Sequence, residues 1–412
     1  MSTVYTAVAL CAVGAEKIVS NELRKLNFKI SESGFGRIRF SADIQGLYRA
    51  LLSLRAADRV LLETALFPAR DFDALFEGVR SVPWEDFIPS GMGLKVSKVR
   101  TNRSILKAET SIQSIVHKAA AERLCLARGV RRLPDQGDIA EIRIYIEKDK
   151  VSVLLDLSGD PLFKRGYRTW SGPAPLRETT AAAIILGSGW RRKFPLYDPF
   201  CGSGTIAVEA AMYAWDIAPG LGRHFTIEQL LLADKAVMRS VREELLSKVD
   251  FSRLVRVAAS DTDNGSVAAA KANMERAIAL ARNGKSIASN DNACTAIQIM
   301  PEFRSLPMQE ATSPFAESAP NPPDADASSD VPSQSCGFII TNPPYGQRLG
   351  DVETAEKTYG EMKHLIENFS GWKLAVITDH SGFESFFGRK ADSCREITNG
   401  AIHSYLYQYE AL

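Results

Sequence analysis

The stretch F-P-L-Y-D-P-F-C-G-S-G-T-I-A-V-E-A-A, Phe194 to Ala211, contains an apolar strand, a glycine-rich turn and the start of a helix. We predict that the strand ends at Asp198 and that the helix opens near Thr205. Gly202 and Gly204 let the backbone approach a ligand closely, and the free N–H groups of the helix start face anything polar or anionic. The spacing matches neither a phosphate loop nor the dinucleotide fingerprint. Taken alone, such a turn is more often structural.

Two further acids follow apolar runs. L-V-R-V-A-A-S-D-T-D, Leu254 to Asp263, is predicted to be a strand that ends in Asp261. Beside a glycine loop in a doubly wound sheet, such an acid can hold the two hydroxyls of a ribose. Asp263 is the next candidate, with helix capping as an equal alternative. Glu302, in I-Q-I-M-P-E-F-R-S-L, is predicted to end another strand and to accept a hydrogen bond from an adenine amine.

T-N-P-P-Y-G, Thr341 to Gly346, stops the apolar run G-F-I-I abruptly. Asn342 has a side-chain carbonyl and Pro343 adds a backbone carbonyl, so the pair can hold an exocyclic NH2 group. Tyr345 can stack on a base that has turned out of its helix. These strand ends together predict group transfer from an adenosine-bearing cofactor to an amine.

The order of elements predicts an α/β domain behind smaller α+β modules. At 412 residues the chain exceeds what one core usually supports. Residues 1–66 follow the β-α-β-β-α-β order of a ferredoxin-like sandwich. Residues 67–168 form a second unit with a hairpin whose one face is polar. Strands and helices alternate over 169–412, which is typical of a parallel, doubly wound sheet. Within this domain, about 305–335 is rich in Pro, Ser, Ala and Asp and is predicted to be a disordered insertion.

Composition excludes several classes of protein. Hydrophobic residues make up 45% of the chain and charged residues 24%, as in an ordinary globular protein. The N-terminus lacks a basic n-region, and no apolar run approaches the roughly 18 to 20 residues of a membrane span, so we expect a cytoplasmic protein. The 6 cysteines and 5 histidines show no metal-ligand spacing, so no metal is expected.

Basic residues concentrate between Gly91 and Arg132, although the formal net charge of the whole chain is only +1. In this range Glu109 and Glu122 are the sole acids. Such an excess predicts a surface that faces phosphates, with a solvated helix face as the equal alternative. The candidate RNA-contacting residues here are Lys95, Lys98, Arg100 and Arg103.

D-P-F-C-G-S-G-T and T-N-P-P-Y-G together resemble the class I S-adenosylmethionine-dependent methyltransferases that act on exocyclic amines. Upstream, L-D-L-S-G-D-P-L-F-K-R-G-Y-R and A-P-L-R-E-T-T-A-A-A are similar to the bacterial THUMP-domain RNA methyltransferases, a family that includes 23S rRNA guanine-N2 enzymes. The resemblance covers essentially the whole chain. It implies a ferredoxin-like domain at 1–66, a THUMP domain at 67–168 and a Rossmann-like methyltransferase domain at 169–412. The chain departs from the family pattern in its long insertion and in Glu302, where the family more often has Asp.

The resemblance also implies S-adenosyl-L-methionine as cofactor and structured RNA as partner. The implied cofactor loop consists of Asp198, Phe200, Gly202, Gly204 and Thr205, with Asp261 on the ribose. Asn342, Pro343 and Tyr345 would position the target amine, a reaction that needs no metal. The basic residues at the domain junction, which would contact the RNA backbone or form salt bridges between domains, are Lys164, Arg165, Arg168 and Arg177.

Several alternatives stay open. The Asn-Pro-Pro-Tyr motif suits adenine N6 as well as guanine N2, and the N-terminal modules favour RNA over DNA. Among RNAs, 23S rRNA is our first expectation and tRNA the second. A non-catalytic RNA-binding assembly factor belongs to a different class. The intact residues Asp198, Gly202, Gly204, Asp261 and Asn342 argue against it.

Overall fold

A computed structural model describes residues 3–168, 176–288, 300–315, 336–345, 351–400 and 402–412, with side chains except those of 283–288 and 351. The chain divides into two compact units. The first comprises Met1–Cys11, Ser20–Leu162 and Arg223–Arg242, and the second comprises Ala12–Val19, Phe163–Gly222 and Glu243–Leu412. Within the described ranges, no helix combines the length and the apolar composition needed to cross a bilayer.

The first unit is built on one mixed sheet. Its strands are β1 (Tyr5–Cys11), β2 (Lys29–Gly34), β3 (Arg37–Ala42), β4 (Ala57–Pro68), β5 (Gly93–Asn102), β6 (Ile139–Glu147) and β7 (Lys150–Asp156). Its helices are α1 (Glu16–Lys25), whose first turn belongs to the second unit, α2 (Ile44–Ser53), α3 (Phe72–Arg80) and α4 (Glu109–Arg128), with 3-10 turns at Trp84–Asp86 and Thr226–Gln229. The strand order is β2-β3-β1-β4-β7-β6-β5, with β5 and β6 parallel.

The ferredoxin-like order predicted for the N-terminus is confirmed, because β1, α1, β2, β3, α2 and β4 follow one another in that sequence. β4 pairs with β1 on one side and with β7 on the other, so a single sheet continues past the predicted boundary after residue 66. The division of this region into two domains therefore stays a prediction.

The second unit contains the predicted α/β sheet. Its strands are β8 (Leu196–Asp198), β9 (Val257–Asp261), β10 (Glu302–Ser305), β11 (Phe338–Thr341), β12 (Lys373–Thr378), β13 (Ser393–Asn399) and β14 (Ile402–Tyr409). The helices are α5 (Glu178–Gly187), α6 (Thr205–Ala214), α7 (Lys235–Ser247), which begins in the first unit, α8 (Asn264–Ala288), α9 (Asp351–Glu361), α10 (Lys363–Asn368) and α11 (Phe383–Phe387), with a 3-10 turn at Met308–Glu310.

The strand order of this sheet is β10-β9-β8-β11-β12-β14-β13. Of these strands β14 alone is reversed, because it pairs antiparallel with both β12 and β13. The order reverses between β8 and β11. β11 is buried along its whole length between β8 and β12, as expected for a central parallel strand with both faces covered. In such sheets ligands bind outside the carboxyl ends of the strands at the point of reversal.

The predicted start of the disordered insertion, at about residue 305, is too early in the chain. Ser305 is the last residue of β10, and Met308 and Ala311 are buried at 3% and 0% exposure in the core beside β11 and β12. Asn368 donates a hydrogen bond to the Ala311 carbonyl at 3.0 Å. Polar composition averaged over a long window hid these apolar anchors. Residues 316–335, the rest of the prediction, lie outside the described residues.

Candidate active site

Asp198 and Thr341 end β8 and β11, the neighbouring strands at which the strand order reverses. The Thr341 hydroxyl donates to Asp198 Oδ1 at 2.7 Å, and the Phe200 amide donates to the same oxygen at 3.2 Å. Both side chains on the strand ends are buried. The carboxyl group is therefore fixed in the crevice where a ligand of this fold binds.

Burial raises the pKa of the Asp198 carboxyl to about 7, and the negative charge of Asp261 adds to the rise. The hydrogen bonds from Thr341 and Phe200 act in the opposite direction. Near neutral pH the group thus exchanges between its neutral and ionised forms. A cation bound beside it would favour the ionised form.

The glycine loop lies between β8 and α6. Gly202 and Gly204 have φ of +49° and +78°, a region that favours glycine. A Cβ on Gly204 would lie 2.7 Å from Ala270 Cβ, whereas a Cβ on Gly202 would meet no atom within 4 Å. The loop is thus packed against α8 at one glycine and open at the other, and the predicted helix start at Thr205 is confirmed.

Asp261, at the end of β9, holds the loop from the side. Gly202 N–H donates to its Oδ2 at 2.9 Å, and Asp263 N–H donates to its Oδ1 at 3.0 Å. Asp263 itself accepts from the Ser266 amide at 2.8 Å, so its carboxylate caps α8. Hydrogen bonds from the Ser266 side chain, and then from the Ser266 amide, hold the pKa of Asp263 below its ordinary value. Of the two alternatives for Asp263, the geometry supports the helix cap.

The loop after β11 has different chemistry. Within the described part of the chain, Asn342 Oδ1 is a buried oxygen without a hydrogen-bond partner. Pro343 is buried, while Tyr345 is half-buried. A buried amide oxygen without a donor is costly, so a ligand donor such as an amine hydrogen would stabilise it. Gly346, the last residue of the motif, lies outside the described residues.

The prediction for Glu302 is wrong in position. Glu302 begins β10 rather than ending it, and it is paired with Ala258, whereas Ser305 is the residue beside Asp261. Three residues of strand place it roughly 10 Å from the carboxyl edge. Its carboxylate instead pairs with Arg304 at 2.5 Å. The sequence misled because the apolar residues before Pro301 were read as part of the strand.

The four candidate RNA-contacting residues of the first unit lie on or just after an accessible strand. Lys95 and Arg100 are exposed on β5, the edge strand of the sheet, Lys98 is half-buried there, and Arg103 is exposed just after it. Arg100 pairs with Glu109 at 2.7 Å.

The charge excess is smaller than the local sequence indicates. Arg123 binds Glu85, an acid that lies outside the Gly91–Arg132 stretch. Arg128 donates to the Ile88 and Pro89 carbonyls at 2.9 Å each. These two guanidinium groups are thus engaged within the first unit.

Two junction arginines do not form a phosphate-facing surface. Arg165 is 2% exposed, with Nε 3.4 Å from Glu209 Oε1. Arg168 pairs with Glu178 at 3.3 Å and donates to the Thr205 hydroxyl. The expectation that they contact RNA is therefore wrong, since both serve the interior of the second unit.

The other two junction residues differ from this pair. Lys164 is exposed. Arg177 is half-buried and lies over the Phe163 ring, 4.7 Å from its centre.

Sequence reasoning also missed contacts made across the sheet. Thr341 was quoted only as a strand end, yet it holds Asp198. Tyr359, on α9, donates from its hydroxyl to the Pro344 carbonyl at 2.7 Å. The partners of these residues are 143 and 15 positions away in the chain, so no local pattern could reveal them.

Residues 165–294 and 324–408, just over half of the chain, match the family model of the RMKL-like methyltransferase domain. These stretches include the glycine loop, Asp261 and the Asn-Pro-Pro-Tyr loop. The chain belongs to the RMKL-like methyltransferase family. Residues 6–61 match the model of the RlmL ferredoxin-like domain.

Relatives of the RMKL-like chain align over nearly all of it. YpsC of Bacillus subtilis (strain 168), classed by its name among RNA methyltransferases, is 33% identical over 98% of this chain and 96% of its own. Ribosomal RNA large subunit methyltransferase K/L of Cellvibrio japonicus (strain Ueda107) is 30% identical over 98% of this chain but 51% of its own, so the chain spans about half the length of that relative. The crystal structure of SMU.472 complexed with SAH is 33% identical, with a TM-score of 0.82 over 100% of this chain and 99% of that one.

The RMKL-like chain is an S-adenosyl-L-methionine-dependent methyltransferase, as the sequence predicts. The residues present fit this cofactor. A buried carboxyl that favours a cation, an open glycine turn and an acid beside that turn lie together at the carboxyl edge of β8 and β9. Within the described residues no group of three or more His, Cys, Asp or Glu side chains could hold a metal ion.

Proposed function

We propose that the chain methylates the exocyclic N2 amine of a guanine in 23S rRNA. The observation that carries the proposal is Asn342 Oδ1, which is buried and has no hydrogen-bond partner among the described residues, in the loop just after β11, the strand next to β8. An acceptor in that place suits an amine donor. The K/L relative, named for large-subunit ribosomal RNA, supports the choice of RNA. A ribosomal RNA substrate implies a cytoplasmic location.

The cofactor would be held by Asp198, Phe200, Gly202, Gly204, Thr205 and Asp261. S-adenosyl-L-methionine supplies a methyl group on a positively charged sulfur. Asp198 would ionise beside this cation, and Asp261 would accept from the ribose hydroxyls. The open space at Gly202 leaves room for the ligand.

The target amine would be held by two acceptors. Asn342 Oδ1 and the Pro343 carbonyl would each accept one amine hydrogen, while Tyr345 stacks on the base. Acceptors on both hydrogens keep the nitrogen lone pair available and disperse the positive charge that develops on nitrogen during transfer. Alignment and exclusion of water are then the main demands, since the product ammonium loses its proton readily without a dedicated base.

RNA binding would use the first unit, with residues 67–168 as a THUMP domain. The proposed phosphate contacts of this unit are Lys95, Lys98, Arg100 and Arg103, on or just after β5. Lys164, which belongs to the second unit, is a further proposed contact. Positive side chains along an exposed edge neutralise phosphates without reading sequence.

Methyl transfer to defined nucleic acids tests the proposal. Tritium-labelled cofactor is incubated with the chain and with transcripts of 23S rRNA, transcripts of tRNA or duplex DNA, and the labelled nucleoside is identified by mass spectrometry. We expect N2-methylguanosine in 23S rRNA. Label in tRNA would support the second RNA substrate, and N6-methyladenine in DNA would refute the RNA assignment. Cofactor binding without transfer to any acceptor would favour a non-catalytic RNA-binding assembly factor.

A further inference from the structure

We propose that Tyr359 is a positioning residue for methyl transfer, because its hydroxyl sets the conformation of the Asn-Pro-Pro-Tyr loop. The inference rests on the proposed role of that loop in holding the target amine. Tyr359 lies on α9, and its hydroxyl donates to the Pro344 carbonyl at 2.7 Å. The same hydroxyl lies 2.9 Å from Thr378 Oγ1, at the end of β12. Tyr359 thus connects the loop after β11 to the adjacent strand.

Backbone chemistry explains why the Pro344 carbonyl matters. The φ of Pro343 and of Pro344 is fixed near −65° by the proline rings. Asn342 and Pro343 each precede a proline, which restricts their ψ to extended values. The ψ of Pro344 is therefore the first freely adjustable backbone angle after the φ of Asn342, and it decides where Tyr345 points. The hydrogen bond from Tyr359 fixes that angle.

The direction of each hydrogen bond in this group can be worked out. A carbonyl only accepts, so the single hydroxyl hydrogen of Tyr359 goes to Pro344. Thr378 must then donate to the Tyr359 oxygen, and Thr378 Oγ1 in turn accepts from the His380 amide at 3.2 Å. The bonds run in one direction, from the His380 amide to the Pro344 carbonyl. Such aligned chains strengthen each member.

Packing holds the Tyr359 ring in place. The ring is fully buried and contacts the His380 and Phe383 rings edge-on at 5.7 and 5.2 Å between centres. His380 Nε2 also lies 3.2 Å from Glu356 Oε1, one turn before Tyr359 on α9. Burial raises the pKa of the Tyr359 hydroxyl to about 12, so the group remains a donor at physiological pH. These contacts favour the position in which the Tyr359 hydroxyl reaches the Pro344 carbonyl.

Tyr359→Phe removes only the hydroxyl and tests the proposal. We expect kcat for methyl transfer to RNA to fall about tenfold, because a small misplacement of reacting groups is costly. The Kd for S-adenosyl-L-methionine, measured by calorimetry, should stay unchanged. Tyr409→Phe is the matched control, since Tyr409 belongs to the same core cluster and donates to the Arg389 carbonyl at 3.0 Å, away from the motif.

Hydrogen exchange gives a readout that does not depend on activity. In Tyr359→Phe, peptides covering residues 338–345 should exchange faster than in the wild type, while Tyr409→Phe should match the wild type. Thr378→Val should reproduce part of the faster exchange. Thr378→Ser, which keeps the hydroxyl, should exchange like the wild type.

The proposal requires both changes to be specific to Tyr359. Unchanged exchange or unchanged kcat in Tyr359→Phe would overturn it, and equal losses in Tyr409→Phe would assign the effect to core packing instead. If the wild type methylates no nucleic acid, the proposed function fails, and the exchange comparison still decides whether Tyr359 holds the loop.

Discussion

The glycine loop after β8 and the Asn-Pro-Pro-Tyr loop after β11 lie on adjacent strands, but they satisfy their polar groups differently. Both oxygens of Asp261 accept backbone N–H groups, and Asp198 accepts from Thr341 and Phe200. Asn342 Oδ1, by contrast, is buried without a partner among the described residues. The carboxylates beside the first loop are held by donors of the chain itself, whereas the second loop leaves an acceptor for something outside the chain. We therefore infer that the cofactor side of the site, formed by the glycine loop with Asp198 and Asp261, is preformed. The target side, formed by the Asn-Pro-Pro-Tyr loop, is completed only when an amine binds.

Asn342→Ala should have the largest effect and would break the target side alone. We expect methyl transfer to fall by about a hundredfold or more, as when a transition-state hydrogen bond is removed. Cofactor affinity should stay nearly unchanged, because the proposed cofactor contacts are made by the glycine loop, Asp198 and Asp261. Radiolabel transfer and calorimetry measure the two quantities. An equal loss of both would remove Asn342 from the target pocket.

Gly204→Ala should instead weaken cofactor binding, because it alters the glycine loop. The new Cβ would combine a left-handed backbone with a contact of 2.7 Å to Ala270 Cβ. We expect cofactor affinity to fall about thirtyfold and the free energy of unfolding to drop by about 1–3 kcal/mol.

Gly202→Ala is the matched variant, because its φ is also positive but its surroundings are open. It should lose cofactor affinity with a smaller loss of stability in thermal or denaturant unfolding. If Gly204→Ala proved the more stable of the two, the close packing of the loop on α8 would be wrong.

The pKa of Asp198 predicts a pH dependence confined to the cofactor side. Its pKa is raised to about 7, and a cationic cofactor binds better to the ionised form, so affinity should rise with pH through 7. Between pH 6 and 7.5 we expect an increase of about eightfold, with release of a proton on binding. Asp198→Asn should bind weakly and without this slope. Calorimetry in buffers of different ionisation enthalpy would detect the proton, and a flat profile in the wild type would contradict the account.

Lys95→Ala should have the smallest effect and leave both loops intact. Loss of one phosphate contact should weaken RNA binding about threefold and reduce the dependence of log Kd on log salt by about one. Arg165→Ala would not be a clean comparison, because Arg165 is buried against Glu209. Lys235→Ala, at an exposed basic residue outside the Gly91–Arg132 stretch, is the suitable control. Identical salt dependence in Lys95→Ala and the wild type would exclude Lys95 from the RNA surface.

Local patterns predicted more of the site than long-range ones. The strand, glycine turn and helix around Gly202 follow from neighbouring residues, and the structure agrees with that prediction. The prediction that Glu302 ends a strand failed because composition defines the start of a four-residue strand poorly. The prediction that Arg165 and Arg168 contact RNA failed because their burial depends on Glu209 and Glu178, two carboxylates that folding brings beside them.

The network of Tyr359 was invisible to sequence reasoning for the same reason. Its two hydroxyl partners, Pro344 and Thr378, are 15 and 19 residues away on either side. A helix pattern predicts which face is buried but not which carbonyl a buried hydroxyl reaches.

Nucleoside mass spectrometry of RNA from a deletion strain tests whether this chain methylates guanine N2 in 23S rRNA. We expect N2-methylguanosine to disappear from one position of 23S rRNA, and we expect the wild-type gene, but not Asn342→Ala, to restore it. An unchanged nucleoside profile, or the loss of N6-methyladenosine instead, would contradict it.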